Sequence, residues 1–404
     1  MLTSRREKGR GLDPKQMPRL LRITTVPVSL QLLLGGQFRF MTQHNFEVLT
    51  CSANGPEIDE IKKEGVNHAI IPFTRKITPM RDLICLWMLV RLIIRFRPHI
   101  VHTHTPKAGL LGMIAAWICR VPVRMHTVAG LPGIVSTGVK GFILRFTEKI
   151  TCFCAHRVYP NSTGLMQYMK QDLKINRSKL SVLGNGSSNG IDTKYFQKTE
   201  ILEREAAKIR ISHSIDDAAI VFSFLGRLVK DKGIVELVAA FRQISRDTNS
   251  YLLLVGFFEN DLDPLPAETI RLIDANPRIL HVGFQKDVRP WLIASDVFVF
   301  PSYREGFPNV VLQASCLEVP SIVSDINGCN EIIQNGKTGI VVKPRDENGL
   351  CEAMRTLGAS AGLREEYGKQ SKEFVTKNFE QKYFWAGLLR EYEVLMKEKS
   401  CIND

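Results

Sequence analysis

The sequence predicts two doubly wound α/β domains, each built on a parallel β-sheet with helices on both faces. Strand-like and helix-like segments alternate along the chain, which is typical of parallel sheets. The 404 residues exceed the length of one typical hydrophobic core. A turn-rich segment, GNGSSNGIDTKYF at residues 184–196, separates two stretches with the same alternation. We therefore place the domain boundary near residue 197 and expect a cleft between the domains.

The strand-like runs of the first half are rich in β-branched and apolar residues. They are LLRITTV (20–26), FEVLTCS (46–52), HAIIPF (68–73), HIVHTH (99–104), VRMHTVAG (123–130) and HRVYPNS (156–162). Helical patterns lie between them, among them residues 80–97 and 106–118. These segments form the predicted N-terminal domain, residues 17–197. We expect residues 1–16 to be a disordered extension or an artefact of start-site choice, because a plausible first strand follows directly after Met17.

The second half repeats this pattern. Its strand-like runs are IVFSFLG (220–226), SYLLLVG (250–256), ILHVGF (279–284), VFVFPS (297–302), PSIVSD (320–325) and GIVVKP (339–344). They form the predicted C-terminal domain, residues 198–380. A last helix in residues 381–404 is expected to pack back on the N-terminal domain. Sheets of this kind bind ligands at the carboxyl ends of their strands.

The positive charge is concentrated in the first half of the chain. Residues 1–200 carry 29 Lys and Arg against 12 Asp and Glu, whereas the remainder carries 25 against 29, for a net charge of +13. A basic half indicates an anionic partner, either nucleic acid, an anionic membrane leaflet or a phosphorylated substrate, unless it serves solubility alone. No recognised motif favours nucleic acid. Nine scattered cysteines without a CxxC pair, and no signal peptide, predict a cytoplasmic protein.

The segment FLGRLVKDKG (224–233) predicts an anion site. Arg227 and Lys232 follow a strand and precede a helix, where free N–H groups and the helix dipole add to their charges. A diphosphate suits this site because Arg grips it bidentately and Lys adds a point charge. The alternative is two solvated cations before an ordinary helix.

The segment REGFPNVVLQA (304–314) follows another buried strand. Glu305 would stand at the carboxyl end of that strand, where a carboxylate accepts hydrogen bonds from sugar hydroxyls. The N–H groups of Gly306 to Val310 would begin the next helix, and Gln313 lies about two turns further on. Glu305 and Gln313 are otherwise a helix cap and an exposed helix position.

These motifs, in this order, resemble the family 4 retaining glycosyltransferases of the GT-B fold. The resemblance extends over most of the chain through VHTHTPKAGLLG (101–112), MHTVAG (125–130), YPNS (159–162) and SDINGCNEII (324–333). It is strongest to the bacterial branch that builds capsule, O-antigen and other glycans on polyprenyl diphosphate carriers. The implied reaction moves a sugar from a nucleotide-sugar, most often a UDP-sugar, to a lipid-linked saccharide at the inner face of the cytoplasmic membrane.

The resemblance assigns roles at individual positions. Arg227 and Lys232 correspond to the pair that holds the diphosphate, and Glu305 to the first carboxylate of the E-x7-E motif. Gln313 stands where the second glutamate grips the ribose. The donor loop corresponds to Gly306, Phe307, Pro308, Asn309 and Val310, of which Pro308 has no N–H to donate.

The acceptor side is assigned in the same way. His126 corresponds to a histidine near the reacting sugar and the acceptor, although a satisfied histidine at a strand end is the alternative. His104 is predicted to line the cleft, and Lys107 to contact an acceptor phosphate. His102 and His104 have a metal-like His-x-His spacing without an evident third ligand.

No metal or other cofactor is predicted, because Arg227 and Lys232 supply positive charge to the leaving diphosphate. Asp261-Leu262-Asp263 matches a D-x-D metal motif, but short acidic pairs occur by chance. The apolar segment 80–96 carries arginines at positions 91 and 95, so it is either a membrane-surface helix or a sheet-packing helix. Two rival functions remain: a nucleotide-sugar 2-epimerase of similar fold, and a non-catalytic nucleotide-sugar-binding subunit, which Gln313 would favour.

Overall fold

The computed structural model describes residues 17–134, 136, 138–259 and 263–400, which form two compact units. The first contains residues 17–161, 166–184 and 383–400, and the second contains residues 162–165 and 185–382. The predicted extension at residues 1–16 lies outside the described residues.

The first unit contains a six-stranded parallel sheet in the order β3-β2-β1-β4-β5-β6. Its strands are β1 (Arg19–Ile23), β2 (Glu47–Ser52), β3 (Asn67–Ile70), β4 (Ile100–His104), β5 (Val123–Val128) and β6 (Arg157–Pro160). The helices along this stretch of chain are α1 (Pro27–Leu34), α2 (Gln37–Gln43), α3 (Ile58–Lys62), α4 (Pro79–Phe96), α5 (Pro106–Ile118), α6 (Gly138–Cys154) and α7 (Thr163–Gln171).

The second unit contains another six-stranded parallel sheet, in the order β12-β11-β10-β7-β8-β9. Its strands are β7 (Ile220–Leu225), β8 (Ser250–Val255), β9 (Ile279–Gly283), β10 (Val297–Phe300), β11 (Ser321–Ser324) and β12 (Gly339–Val342). The remaining helices, from residue 200 to residue 400, are α8 (Glu200–Ser212), α9 (Ile234–Ile244), α10 (Ala267–Ala275), α11 (Arg289–Ile293), α12 (Asn309–Cys316), α13 (Cys329–Ile332), α14 (Glu347–Ala359), α15 (Ala361–Phe379) and α16 (Gln381–Ser400).

The predicted fold class is confirmed, because each predicted strand-like run overlaps a strand of one of these parallel sheets. Several strands end earlier than predicted because the runs continue into residues that interrupt pairing. Pro72 follows shortly after β3, and Pro301 follows β10 directly. In both units the central strands are buried: every residue of β4 and every residue of β10 is buried.

The division between the units falls at residues 184 and 185, before the predicted position 197. The reason is backbone pairing of the turn-rich segment. Ile191 N–H donates to the carbonyl of Phe379 at 2.8 Å, and Gln381 N–H donates to the carbonyl of Ile191 at 2.9 Å. These bonds attach the segment to the end of α15 within the second unit.

The C-terminal helix α16 packs in the first unit from Tyr383 onward. Its buried side chains recur at helical spacing and join the core around Leu20 and Phe38. They are Phe384, Leu388, Tyr392 and Leu395. Arg22, a fully buried residue of β1, donates to the Tyr392 hydroxyl at 3.1 Å. The helix therefore brings polar as well as apolar contacts to this unit.

Candidate functional site

The predicted donor residues of the second unit lie at the carboxyl edge of its sheet. Strands β7, β10 and β11 are neighbours, so the segments that follow them meet at one edge. Gly233 has φ of 71°, and a Cβ there would lie 2.1 Å from the carbonyl oxygen of Pro301. Only glycine therefore lets the segment after β7 pack this closely against the segment after β10.

Lys232 and Glu305, both predicted site residues, form an ion pair at this edge. Each side chain is 16% exposed, so solvent screens the pair only partly. Ser302 Oγ donates to Glu305 Oε1 at 2.8 Å, and Lys232 Nζ lies 5.3 Å from the ring centroid of Phe300. Both charged groups are therefore held in place before any ligand arrives.

Arg227, the other predicted cation, is paired with Glu259. The Arg227 side chain is 37% exposed, against 14% for Glu259, so the guanidinium is the more accessible partner. Each predicted cation thus has its own carboxylate. An anionic ligand would compete with these carboxylates for the two cations.

The turn that carries Glu305 is fixed by a network that sequence reasoning missed. Arg304 Nη2 donates to Asp231 Oδ2 at 2.6 Å, and Asp231 N–H donates to Asp263 Oδ2 at 2.6 Å. Tyr303 donates its hydroxyl to Glu236 at 2.6 Å. Burial, followed by this hydrogen bond, raises the pKa of Tyr303, so the hydroxyl stays protonated. The charged run in the sequence signalled a cluster but not which residues would pair.

Several backbone N–H groups at the start of α12 have no hydrogen-bond acceptor in the described part of the chain. Among the described residues, the N–H groups of Gly306, Phe307, Asn309 and Val310 donate no hydrogen bond. Gly306 and Phe307 are buried, whereas Asn309 and Val310 are partly exposed. Unpaired N–H groups at a helix start are ready to bind an oxygen-rich ligand. Pro308 directly precedes the helix as its N-cap and contributes no donor.

Gly328 brings the segment after β11 close to the turn that carries Glu305. Its φ is 77°, and a Cβ there would lie 2.5 Å from the carbonyl oxygen of Gly306. The following Cys329 is fully buried, and burial, then the charge of Glu305, raises the pKa of its thiol. This thiol is therefore protonated and unsuited to act as a nucleophile.

Gln313 lies on α12 and is half-buried. Within the described part of the chain its side-chain amide forms no hydrogen bond, so it is available to a ligand. The resemblance predicts that it faces a ribose, and no contact in the structure tests that role.

Gln313→Glu is expected to preserve the affinity for UDP or to tighten it by about 2- to 10-fold. A carboxylate accepts from ribose hydroxyls more strongly than an amide, by about 1 kcal/mol. Calorimetric titration with UDP measures the change, with Gln370→Glu on α15 as a control that adds the same charge elsewhere in the unit. A severe loss of affinity for Gln313→Glu alone would mean that this position does not face the ribose.

The first unit holds the predicted acceptor residues. His126, on β5, is 2% exposed, and its Nδ1 lies 2.8 Å from Thr103 Oγ1. Its Nε2 lies 3.7 Å from Glu148 Oε1. A Cβ on Gly109 of α5 would come within 2.4 Å of the ring. His126 is thus a tightly enclosed side chain inside β5, two residues before the strand ends at Val128, and not at the strand end that the sequence predicted.

His104 ends β4 and is buried beside Arg22. Its Nε2 lies 3.0 Å from Arg22 Nη2, and burial, then His102 and Arg22, hold the pKa of His104 well below its ordinary value. The imidazole is therefore neutral at physiological pH, with Nε2 accepting from the guanidinium. Its Nδ1 is buried without a hydrogen-bond partner among the described residues. His104 was predicted to line a cleft, and in the structure it is buried against Arg22 and His102.

Lys107 lies in the first turn of α5, and its ammonium is already occupied. It donates to Thr74 Oγ1 at 3.1 Å, Thr78 Oγ1 at 3.2 Å and Asp82 Oδ1 at 2.8 Å, and it also contacts the carbonyl of Lys76. An ammonium has three protons to donate. Lys107 would have to give up some of these partners before it could contact the predicted acceptor phosphate.

The structure brings Arg227, Lys232 and Glu305 to one sheet edge, and it places His104 and His126 on the paired strands β4 and β5. Sequence reasoning missed Glu259, Ser302 and Glu148, which contact these residues. In the sequence, each of these three residues is marked only by being a polar residue in or beside an apolar run.

The described residues contain neither a metal-ligand cluster nor a membrane-spanning helix. No group of three or more His, Cys, Asp or Glu side chains in the described ranges is arranged to hold a metal ion. Asp261 and Leu262 of the D-x-D motif lie outside those ranges, and the Asp263 carboxylate accepts a backbone N–H. No described helix is both long and apolar enough to cross a membrane.

Models of two known families match the chain. The one described as Glycosyltransferase Family 4 matches residues 39–193, and the one described as Glycosyl transferases group 1 matches residues 219–360. Among solved structures, Anabaena HepE in complex with UDP and glucose has a TM-score of 0.78 at 16% identity, covering 93% of this chain and all of its own. Sucrose-phosphate synthase from Thermosynechococcus elongatus has a TM-score of 0.78 at 20% identity, covering 94% of this chain and 100% of its own.

Two curated relatives extend over most of the chain. The Escherichia coli UDP-Gal:alpha-D-GlcNAc-diphosphoundecaprenol alpha-1,3-galactosyltransferase is 29% identical, covering 82% of this chain and 87% of its own. The capsular polysaccharide biosynthesis glycosyltransferase CapM of Staphylococcus aureus is 33% identical, covering 94% of this chain and 98% of its own. With a relative of that identity along nearly its full length, the chain belongs to family 4 of the glycosyltransferases and has their GT-B fold.

Proposed function

We propose that this glycosyltransferase moves a sugar from a UDP-sugar to a polyprenyl-diphosphate-linked saccharide, with retention of the anomeric configuration, in the assembly of a bacterial surface polysaccharide. The observation that carries the proposal is the donor edge of the second unit. There Arg227 and Lys232 follow β7 at the same sheet edge as the unpaired N–H groups of Gly306, Phe307, Asn309 and Val310, which follow β10. Cations and N–H groups are the donors that a diphosphate and a sugar require.

The donor half of the reaction follows from the charges at this edge. The diphosphate would draw Arg227 and Lys232 from Glu259 and Glu305, and it would leave stabilised by both cations. Glu305, released from Lys232, would then accept hydrogen bonds from sugar hydroxyls. In this proposal two fixed cations neutralise the leaving group without a metal ion. The complex of HepE with UDP and the UDP-Gal donor of the Escherichia coli relative support uracil as the base.

The acceptor half rests on relatives and on the histidine of the first unit. The Escherichia coli relative acts on a diphosphoundecaprenol-linked sugar, and CapM is named for capsular polysaccharide biosynthesis. In the proposal His126 orients the acceptor hydroxyl near the reacting carbon. His104 supports the acceptor side only indirectly, from its buried position beside Arg22. Lys107 contacts an acceptor phosphate once it has left part of its present hydrogen-bond set. The proton of the acceptor hydroxyl goes to a leaving phosphate oxygen, so that no strong base is needed.

The lipid-linked acceptor requires contact with the inner face of the cytoplasmic membrane, and we propose that α4 and α6 provide it. Exposed apolar side chains recur along one face of each helix, and exposed arginines accompany them on α4. On α4 they are Met80, Leu83, Ile84, Trp87 and Ile94, and on α6 they are Val139, Phe142, Phe146 and Phe153. The guanidinium of Arg91 lies 4.6 Å from the ring centroid of Trp87. A cation therefore lies next to an exposed apolar side chain, an arrangement that suits a membrane with anionic headgroups.

Cosedimentation with phospholipid vesicles tests the exposed apolar faces of α4 and α6. The double change Trp87→Glu and Phe146→Glu is expected to lower binding to phosphatidylglycerol-containing vesicles by about 10-fold or more, because it places two anions against an anionic, apolar surface. Ile211→Glu, at a 75% exposed position of α8 in the second unit, is the control. Equal binding by the double variant and the control would remove α4 and α6 from this role.

The reaction itself is tested with purified protein, radiolabelled UDP-sugars and synthetic polyprenyl-diphosphate saccharides, in buffer with and without EDTA. The expected result is a lengthened lipid-linked saccharide whose new linkage keeps the donor configuration by NMR, formed equally well with the chelator. A nucleotide-sugar altered at carbon 2 without acceptor would indicate an epimerase. Tight UDP binding without turnover of any pair would indicate a binding subunit.

A further inference from the structure

We infer that Glu148 is a positioning residue for His126, holding the imidazole as the tautomer protonated on Nε2. Glu148 belongs to α6 and His126 to β5. Their nearest oxygen and nitrogen atoms, Oε1 and Nε2, are 3.7 Å apart. This inference rests on the proposed function only for its effect on turnover, because the tautomer itself is observable without substrate.

The His126 ring is constrained on the other sides as well. Thr103 Oγ1 lies 2.8 Å from Nδ1, and the missing side chain of Gly109 leaves room for Cε1. The ring therefore has little freedom to turn, and its two nitrogens face fixed partners. Which nitrogen carries the proton depends on those partners alone.

Glu148 has few partners besides His126. It is 5% exposed, and it is the single acidic residue among the fully buried polar side chains of the described ranges. No N–H group of the described residues donates a hydrogen bond to it, and the one donor in reach is the Cys152 thiol, whose Sγ lies 3.9 Å from Oε1. Burying a carboxylate without donors is costly, so the facing imidazole N–H is its natural partner.

A small cavity in the first unit reaches this carboxylate. It is lined by Glu148 together with Pro106, Leu131, Gly133, Arg145 and Tyr168. The nearby cation Arg145 is directed elsewhere, because its Nη1 donates to the carbonyls of Gly133 at 3.5 Å and Ser136 at 3.4 Å. Arg145 thus forms no ion pair with Glu148, whose carboxyl group faces His126.

These contacts determine the proton arrangement. A carboxylate only accepts, so it favours a proton on Nε2, whereas the Thr103 hydroxyl can donate to the bare Nδ1. The Nε2–H of the imidazole then points at Glu148, which holds the ring in one orientation.

Imidazole ¹⁵N NMR of selectively labelled protein tests the tautomer, with the His126 signals assigned by their loss in His126→Asn. The wild-type protein is expected to show a protonated Nε2 and a bare Nδ1. In Glu148→Gln the amide can donate to Nε2, so the proton is expected to shift toward Nδ1. Glu148→Asp and Thr103→Val should keep the wild-type tautomer, the first through its carboxylate and the second because Glu148 remains. Glu391→Gln, which removes another carboxylate of the first unit that accepts from Tyr159, should leave the signals unchanged.

Kinetics supply the second readout. Glu148→Gln is expected to lower kcat by about 10-fold or more with little change in KM for the nucleotide-sugar, and Glu148→Asp to recover part of the loss. A thermally destabilised Glu148→Gln with an unchanged His126 tautomer would overturn the inference and leave Glu148 a packing residue. Should Glu148→Gln fail to fold, a Glu148→Asp or wild-type spectrum with the proton on Nδ1 would overturn it equally. An absence of transfer by the wild-type protein would instead contradict the proposed function, with the tautomer result still standing.

Discussion

Glu305→Gln is expected to lower kcat for sugar transfer by about 10²- to 10³-fold while the affinity for UDP is kept. The change removes a charge and preserves the size of the side chain. In the structure Glu305 holds Lys232, and both side chains are only 16% exposed. Loss of the carboxylate charge leaves Lys232 free for the diphosphate, so binding of the nucleotide should not weaken. The donor sugar, however, loses its anionic hydrogen-bond acceptor.

Single-turnover transfer and calorimetric titration with UDP separate these two effects. Glu318→Gln is the matched control, because Glu318 is also a partly buried carboxylate of the second unit, paired with Lys372 at 2.7 Å. The control should transfer at the wild-type rate. A Glu305→Gln protein with normal kcat would remove Glu305 from the reaction, and one with much weaker UDP binding would assign it to the nucleotide instead of the sugar.

Arg227→Met is expected to raise the Kd for UDP by about 10- to 100-fold. A charge-assisted hydrogen bond contributes about 1.5–3 kcal/mol, and each 1.4 kcal/mol is about a factor of ten. The change also frees Glu259, which then repels the diphosphate from a position that is 14% exposed. The loss should therefore exceed that of a simple cation deletion.

The double variant Arg227→Met, Glu259→Gln distinguishes the two contributions. It should bind UDP more tightly than Arg227→Met alone, because the repelling carboxylate is gone, and more weakly than the wild type, because the cation is still missing. Lys372→Met, in the same unit, should bind as the wild type does. Wild-type affinity in Arg227→Met would mean that the diphosphate is held elsewhere and would contradict the proposed donor edge.

The course of the chain could be predicted because its causes are local. Period-two and continuous apolar runs fixed the strands, and period-3.6 runs fixed helices such as α4 and α9, within a few residues. The carboxyl ends of parallel strands share one edge, so the convergence of Arg227 and Glu305 also followed from their positions after β7 and β10. The motif resemblance then gave the family, which the relatives confirm.

The partners of the site residues could not be predicted, because they come from distant parts of the chain. Glu259 reaches Arg227 across 32 residues, and Tyr392 reaches Arg22 across 370. Nothing in the apolar pattern distinguishes Arg22, which is fully buried, from an arginine at an exposed strand end. Likewise Lys107 reads as a free cation in the sequence, whereas the loop before α4 surrounds its ammonium.

The sequence by itself determined the two α/β units, the strand ends that carry the candidate residues and the glycosyltransferase family. The tertiary structure alone decided which charges are paired and which N–H groups stay unpaired. It also decided that Glu148 lies opposite His126. The physical reason is that secondary structure follows from the periodicity of neighbouring residues, whereas the partner of a buried charge is set by whichever distant side chain the packing brings within a few ångströms.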